Sequence, residues 1–303
     1  MVNSLKKPGR LLFANWGMNL DEVPLDQLDH YIAVENYLTD DEEPPPDATN
    51  IETVKGYLEA FNHLCEVKEW KRASEIAVIR CDISPHQELH IQLKIWGYSR
   101  EIIELYSRLL GKLSPEVDVI FRNSWGNVYY SLGKYQLAID YHQQSLAIAL
   151  EIGDLLIEGT AMGNLGNTYN SLGQYQQAID YHQQCLAIAR QIGHSEGEGA
   201  ALSNLGNAYN SLGLYQQAID YLQQSLVIVQ EIGARLMEGT ALVNLGNTYN
   251  FLGQYQQAID YYQQSLAIVQ ENGARLGEGT TLGNLGNVYR SLGQYHRAII
   301  SRV

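Results

Sequence analysis

Apolar residues in the second half of the chain recur at helical spacing, and each apolar run is followed by a glycine. The first run follows an i, i+3, i+7, i+10 pattern that marks one face of a helix: Leu202, Leu205, Tyr209 and Leu212. A second run has the same character: Tyr215, Ala218, Ile219, Leu222, Leu226 and Ile228. Gly213 and Gly233 come next, where a residue without a Cβ suits a left-handed helix end. The pattern predicts a hairpin of two helices, 198–212 and 215–232, and no strand.

This hairpin pattern repeats every 40 residues without insertion. The motif Asn-Leu-Gly-Asn-x-Tyr begins at Asn164, Asn204, Asn244 and Asn284, and a fainter copy begins at Ser124. Gly206 and Ala218 are small residues placed where the two helices of one copy would touch. One hairpin cannot bury its apolar face alone, so neighbouring copies must stack. The predicted fold class is all-α: a right-handed α-solenoid of stacked helix-turn-helix hairpins.

The spacing within one copy resembles the tetratricopeptide repeat. The residues that carry the resemblance are Leu202, Leu205, Gly206, Tyr209, Gly213, Tyr215, Ala218 and Leu222. Two departures exist, because Gln230 replaces the usual closing proline and the period is 40 residues instead of 34. Both departures resemble the longer repeats of kinesin light chains, and the near-identical, Gln- and Asn-rich copies resemble bacterial, especially cyanobacterial, repeat arrays. The resemblance implies a non-catalytic scaffold for protein–protein interaction.

The repeats also predict how the chain is divided. Residues 121–303 form the array, with four full repeats and a truncated fifth, and residues 51–120 are degenerate helical units with Pro85 and Pro115 in connecting loops. Residues 1–50 hold one short helix, 25–38, and an acidic, proline-rich linker, 40–47. The last repeat stops early in its second helix. This favours a truncated chain over an open edge that is covered by a partner or by self-association.

Charge and cysteine content exclude several classes of partner. The 303 residues include 20 Lys and Arg against 34 Asp and Glu, a net charge of −14. Binding to nucleic acid or to an anionic membrane needs clustered cations, so neither is expected. Cys65, Cys81 and Cys185 are odd in number and widely separated, which favours a reducing, cytoplasmic setting over a disulfide framework.

Candidate catalytic and metal-binding groups are few. His86 and His90 have the i, i+4 spacing of a metal pair but no third ligand with matching spacing except Cys81. His142 and His182 occupy a position that holds Leu222 and Tyr262 in other copies, which indicates core packing. Cys185 replaces a serine that recurs in three copies (Ser145, Ser225 and Ser265), which indicates a small buried residue. The sequence predicts no catalytic residue, metal site or cofactor.

Asparagine is the polar residue that the repeats keep on the face opposite Leu205 and Tyr209. A primary amide matches the donor and acceptor of a peptide bond, so such rows predict binding of an extended peptide. The alternative left open is that some of these amides bond only to neighbouring helices. Phe251 adds an apolar anchor and Arg290 the one cation. The predicted peptide-binding residues are Asn127, Asn164, Asn167, Asn170, Asn204, Asn207, Asn210, Asn244, Asn247, Asn250, Phe251, Asn284, Asn287 and Arg290.

The scarcity of cations on this face predicts a neutral or mildly apolar partner segment. A second hypothesis follows from the resemblance to cyanobacterial arrays: the chain is a sensor or regulatory arm of a larger signalling protein, linked to an ATPase or a protease. A third hypothesis, an enzyme, would need a cleft around His63, Cys65 and Cys81 in residues 1–120. The sequence favours the peptide-binding scaffold.

Overall fold

A computed structural model describes residues 8–40, 45, 47–80 and 88–294. The chain divides into two compact units, residues 1–128 and 129–303. The described residues form sixteen α-helices and no strand, apart from one isolated bridge between Arg80 and Glu88. The all-α prediction is therefore confirmed.

The first unit holds seven short helices and most of an eighth. They are α1 (Pro8–Trp16), α2 (Leu28–Thr39), α3 (Asn50–Thr53), α4 (Lys55–Glu66), α5 (Trp70–Ala77), α6 (Leu89–Ile95), α7 (Ser99–Leu109) and α8 (Pro115–Ser131), which ends in the second unit. A 3-10 turn, Leu20–Glu22, precedes α2. Two expectations are wrong here. The helix 25–38 starts three residues later, with Leu25 outside it and 89% exposed. Pro115 is the first residue of α8, where its missing N–H leaves no helical bond unmade.

The second unit repeats one hairpin. Its helices are α9 (Tyr135–Ile152), α10 (Leu155–Ser171), α11 (Tyr175–Gln191), α12 (Ser195–Ser211), α13 (Tyr215–Glu231), α14 (Arg235–Phe251), α15 (Tyr255–Glu271) and α16 (Arg275–Ser291). We call α10, α12, α14 and α16 the first helices and α11, α13 and α15 the second helices. The predicted helix 198–212 begins three residues earlier, at Ser195. Residues 295–303, on which the second helix of the last repeat was predicted to begin, lie outside the described residues.

Glycine ends each first helix, as α12 illustrates. Gly213 has φ +76°, and the next backbone N–H, of Leu214, donates to the carbonyl of Tyr209 at 2.9 Å. The N–H of Gly213 itself donates to the carbonyl of Asn210 at 3.0 Å. These two bonds satisfy carbonyls that a helix end leaves without partners, and they need the positive φ that glycine adopts without steric cost.

The apolar core runs from each repeat into the next: the first and second helices of one repeat approach closely, and the buried clusters join each second helix to the first helix that follows it. Leu202, Leu205, Ala218 and Leu222 are buried, and Gly206 provides the close approach. A Cβ at Gly206 would lie 2.5 Å from Cγ of Leu222 and 3.2 Å from the carbonyl oxygen of Ala218. Successive first helices also contact one another, more extensively than successive second helices do. The first helices therefore form the closer-packed layer of the stack.

Candidate functional site

The predicted asparagines all lie on first helices of the second unit, except Asn127 on α8 in the first unit. They recur at the same positions of α10, α12, α14 and α16, because the 40-residue period matches the hairpin. Most are partly exposed, and Asn287 on α16 is exposed. Each row therefore places one amide per repeat on the face of the closer-packed helix layer.

At the C-terminal end of this layer, the amides bond to neighbouring groups. Asn244 Nδ2 donates to Ser203 Oγ at 3.2 Å, and Asn284 Nδ2 donates to Asn247 Oδ1 at 3.2 Å. Asn247 Oδ1 also accepts from the hydroxyl of Tyr262 at 2.7 Å. Arg290 donates to Asn287 on its own helix. Asn244, Asn247 and Asn284 thus make the bonds between helices that the sequence left open as an alternative, whereas the bond of Asn287 stays within its own helix.

Three amides nearer the middle of the array lack such hydrogen bonds. Within the described part of the chain, the side chains of Asn167, Asn204 and Asn207 make no hydrogen bond. Below them, Oδ1 of Asn170 and Oδ1 of Asn210 are buried without a partner. The difference along one row has a local cause: Asn207 lies where the second helix offers Leu222, whereas Asn247 meets the hydroxyl of Tyr262 at the equivalent position. We call these three the free amides, and they lie on α10 and α12; in the described ranges Asn127 on α8 and Asn250 on α14 likewise make no side-chain hydrogen bond.

Phe251, the predicted apolar anchor, stands at the last residue of α14. Its ring stacks on Tyr215 at a centroid distance of 6.1 Å and an interplanar angle of 6°, and it stays 63% exposed. Tyr215 begins a second helix, so Phe251 lies toward the turns that join first and second helices. Its anchoring role stays a prediction.

A cavity of about 230 Å³ lies beside the free amides, between α10, α11 and α12. Gly159, Gly163, Cys185, Ile188 and Ala201 contribute to its mostly apolar wall, and Asn164, Asn167 and Asn204 also line it. Cys185 is only partly buried, which corrects the expectation of a fully buried residue. Burial still raises the pKa of the thiol, although the backbone of Gly163 opposes the shift. A protonated thiol suits an apolar wall and not a nucleophile.

Serine takes a different role at the same position of other copies. Ser225 Oγ donates to the carbonyl of Gly199 at 2.8 Å, and Ser265 Oγ donates to the carbonyl of Gly239 at 2.9 Å. Both serines are buried. The sulfur of Cys185 instead faces Gly163, where an added Cβ would lie 3.5 Å from it. The repeat that contains the cavity thus lacks the hydrogen bond from a second-helix serine to a first-helix carbonyl that two other repeats make.

The other candidate chemical groups are packing residues. His142 and His182 are buried, as predicted, and burial lowers the pKa of each to about 4. Burial raises the pKa of Cys65 to about 11. His90 Nδ1 bonds the carbonyl of Ala77 at 3.0 Å, while His86 and Cys81 lie outside the described residues. In the described ranges, no three His, Cys, Asp or Glu residues form a metal-binding group.

Two features escaped the sequence reasoning. In the second unit a tyrosine of the first helix stacks on one of the following helix, as Tyr209 does on Tyr221 at 5.2 Å and 8°. Both tyrosines recur every 40 residues at a constant separation, so the sequence could have indicated that they form a pair. In the first unit, Nδ1 of His30 lies 2.9 Å from Nδ1 of His63, which no sequence spacing indicated. Among the helices that are described, none is both long and apolar enough to cross a membrane.

This architecture is that of a repeat scaffold built from helical hairpins, and family comparison agrees. The tetratricopeptide repeat model matches residues 116–191, 160–231, 197–271 and 237–300. The chain therefore belongs to the tetratricopeptide repeat family, whose repeats build protein-interaction scaffolds and are generally non-catalytic. The chain has no significant match among curated proteins.

Solved structures show the same fold at low sequence identity. The apo form of RapI has a TM-score of 0.65 at 13% identity, over 92% of this chain and 95% of that chain. A Rap protein complexed with Competence and Sporulation Factor has a TM-score of 0.60 at 14% identity, and the match covers 97% of this chain and 74% of that chain. A Signal Transduction ATPase with Numerous Domains from Pyrococcus horikoshii, which has a tetratricopeptide repeat sensor, gives 0.63 at 16%. That match covers 96% of this chain but only 42% of the ATPase chain.

Proposed function

We propose that the chain binds an extended peptide segment of a partner protein along the first helices of the second unit. The observation that carries the proposal is the set of free amides, Asn167, Asn204 and Asn207. Partly exposed amides without intramolecular partners are ready to pair with the N–H and C=O groups of a peptide. The closer packing of the first helices supports a groove on their side, because the inner layer of a curved stack is the more crowded one.

The strength expected of such a site is modest. Each hydrogen bond contributes on the order of 0.5–1.5 kcal/mol net. Several bonds in register, together with apolar contact, would reach about −8 kcal/mol, which corresponds to a Kd of about 1 μM. The net charge of −14 disfavours acidic segments. The proposed partner segment is therefore neutral or mildly apolar.

The test is selection of displayed, neutral random dodecapeptides on the full chain, followed by fluorescence anisotropy of the enriched peptides. In the key variant Asn167, Asn204 and Asn207 are all changed to alanine, and we expect the Kd to rise at least tenfold. The matched control removes three other amides, Gln184, Gln224 and Gln264. They are exposed on second helices and bond only to carbonyls of their own helices.

The two variants separate the outcomes. Weak binding by the asparagine variant alone supports the first-helix face. Equal loss in both variants, or no enriched peptide at all, contradicts the proposal. Circular dichroism melting of each variant verifies that folding is retained.

A second proposal is that the chain is the sensor arm of a larger signalling protein. It is favoured by the similarity of nearly the whole chain to under half of the ATPase that carries a tetratricopeptide repeat sensor. Sequencing the gene downstream of the codon for Val303 tests it. Continuation into an ATPase or protease domain supports this proposal, and a stop codon at that point contradicts it.

A further inference from the structure

The cavity beside the free amides exists because two side chains are missing at one junction between repeats. Gly197 on α12 stands where the next repeat has Met237. The methyl group of Met237 reaches to 3.8 Å from a Cβ built at Gly199, the counterpart of the cavity residue Gly159. No side chain at Gly197 fills the equivalent space beside Gly159, and Nδ1 of His194 lies 2.5 Å from a Cβ built at Gly197.

The second missing side chain is that of Gly163. Its counterparts in the next two repeats are Ser203 and Val243. At the next junction the two positions hold Ser203 and Met237, which both have side chains. At the junction after that they hold Val243, which has a side chain, and Gly277, which has none. The junction of α10, α11 and α12 combines both glycines. The array is thus not uniform, although its repeats are nearly identical in sequence.

The walls of the cavity are uncharged over most of their extent. Lining residues run along α10 from Leu155 to Asn167, so the amides stand at one end and exposed His194 at the other. Cys185 is held protonated by burial. An uncharged, apolar wall beside free amides favours a ligand with an apolar group and adjacent peptide bonds over a charged one.

We infer that this cavity receives one uncharged apolar side chain, of the size of leucine, methionine or phenylalanine, from an extended peptide. Asn167 and Asn204 pair with the peptide backbone beside that side chain. The inference rests on the proposed peptide-binding function. Its size limit follows from volume, since a cavity of about 150 Å³ already holds a benzene ring and this one measures about 230 Å³.

The consequence is a fixed register. Amides at equivalent positions would let a peptide slide between the repeats whose amides are free. A pocket at the junction that combines Gly163 and Gly197 limits that freedom, because a side chain outside it stays exposed to water. Burying such a side chain is expected to tighten binding by roughly tenfold to a hundredfold.

The experiment repeats the peptide selection on the unchanged chain, residues 1–303, and on the variant Gly163→Val. This variant places in the cavity the side chain found at Val243. A Cβ at Gly163 meets only the sulfur of Cys185, at an ordinary contact distance of 3.5 Å, so the variant should fold. Gly279→Val is the matched control, because it adds the same side chain to a first helix at a site where no described residue lies within 4 Å. If Gly163→Val melts early, Cys185→Met fills the cavity from its other wall.

Wild type and Gly279→Val should enrich peptides with one leucine, methionine or phenylalanine at a fixed position. Changing that residue to alanine should raise the Kd tenfold to a hundredfold for both, but should have no effect on binding to Gly163→Val. Enriched peptides without a fixed apolar position, or wild-type affinity in Gly163→Val, would overturn the pocket and leave the proposed function standing. No enrichment on the wild type would overturn both.

Discussion

The imidazole of His182 lies directly against the backbone of Gly166, with Cε1 at 2.5 Å from the point where a Cβ would stand. The same contact recurs in other repeats with a different partner each time: Leu222 at Gly206 and Tyr262 at Gly246, at 2.5 and 2.6 Å. The glycine is therefore required by packing between the first and second helices. The same site between the two helices accepts an imidazole, an isobutyl group or a phenol, because glycine has no side chain that would collide with any of them.

Alanine at this glycine should destabilise the fold. Gly206→Ala forces Leu222 out of its position, and overpacking of this kind costs about 1–3 kcal/mol of unfolding free energy. Gly283→Ala is the control, since none of the described residues lies within 4 Å of a Cβ at that site and alanine favours a helix over glycine by about 0.5–1 kcal/mol. Urea denaturation should show opposite signs for the two variants. Equal effects would mean that the contact with Leu222 carries no strain.

His182 should make the stability depend on pH between about 6.5 and 4. Burial lowers its pKa to about 4, while an unfolded histidine titrates near 6.5. The unfolded chain thus binds the proton first, so the stability is full above pH 6.5 and falls as the pH drops toward 4. The loss approaches roughly 3 kcal/mol for this group.

His182→Leu should remove that component. Leucine is the residue found in the same position at Leu222, and the change also deletes a buried Nδ1 that has no partner. Urea denaturation at pH 7 and pH 4.5 should show a smaller difference between the two pH values for the variant than for the wild type. An unchanged difference would assign the pH dependence to other groups.

The repeat made the fold and the packing histidines predictable, because both depend on spacing and on which residues exchange at one position. His142 and His182 were assigned to the core since Leu222 takes their place elsewhere, and the structure confirms it. The state of the asparagines could not be read this way. Asn207 and Asn247 occupy the same position of the Asn-Leu-Gly-Asn-x-Tyr motif, and Asn247 differs by a contact with a residue 15 positions away on the second helix. That contact depends on three-dimensional packing.

The tyrosine stacks should add a measurable coupling within each repeat. Tyr209 and Tyr221 stack at 5.2 Å, and aromatic pairs contribute about 0.5–1.5 kcal/mol beyond the area they bury. A double-mutant cycle with Tyr209→Leu and Tyr221→Leu, measured by urea denaturation, should return a coupling energy of that size. A double-mutant cycle on Tyr209 and Leu202, a pair without ring stacking, serves as the comparison. A coupling energy of zero in the tyrosine cycle would mean that the two rings only fill space and that their stacking adds no stability.

One identical change in two neighbouring repeats should separate structure from binding. Asn247→Ala leaves the hydroxyl of Tyr262 and the amide of Asn284 without their acceptor, so it should cost about 1–3 kcal/mol of unfolding free energy. Asn207→Ala breaks no hydrogen bond within the described residues, so its stability should stay within about 0.5 kcal/mol of the wild type. In peptide anisotropy, Asn207→Ala should nevertheless weaken binding. A stable Asn207→Ala protein with wild-type affinity would exclude this amide from the site, and early melting would make its role structural after all.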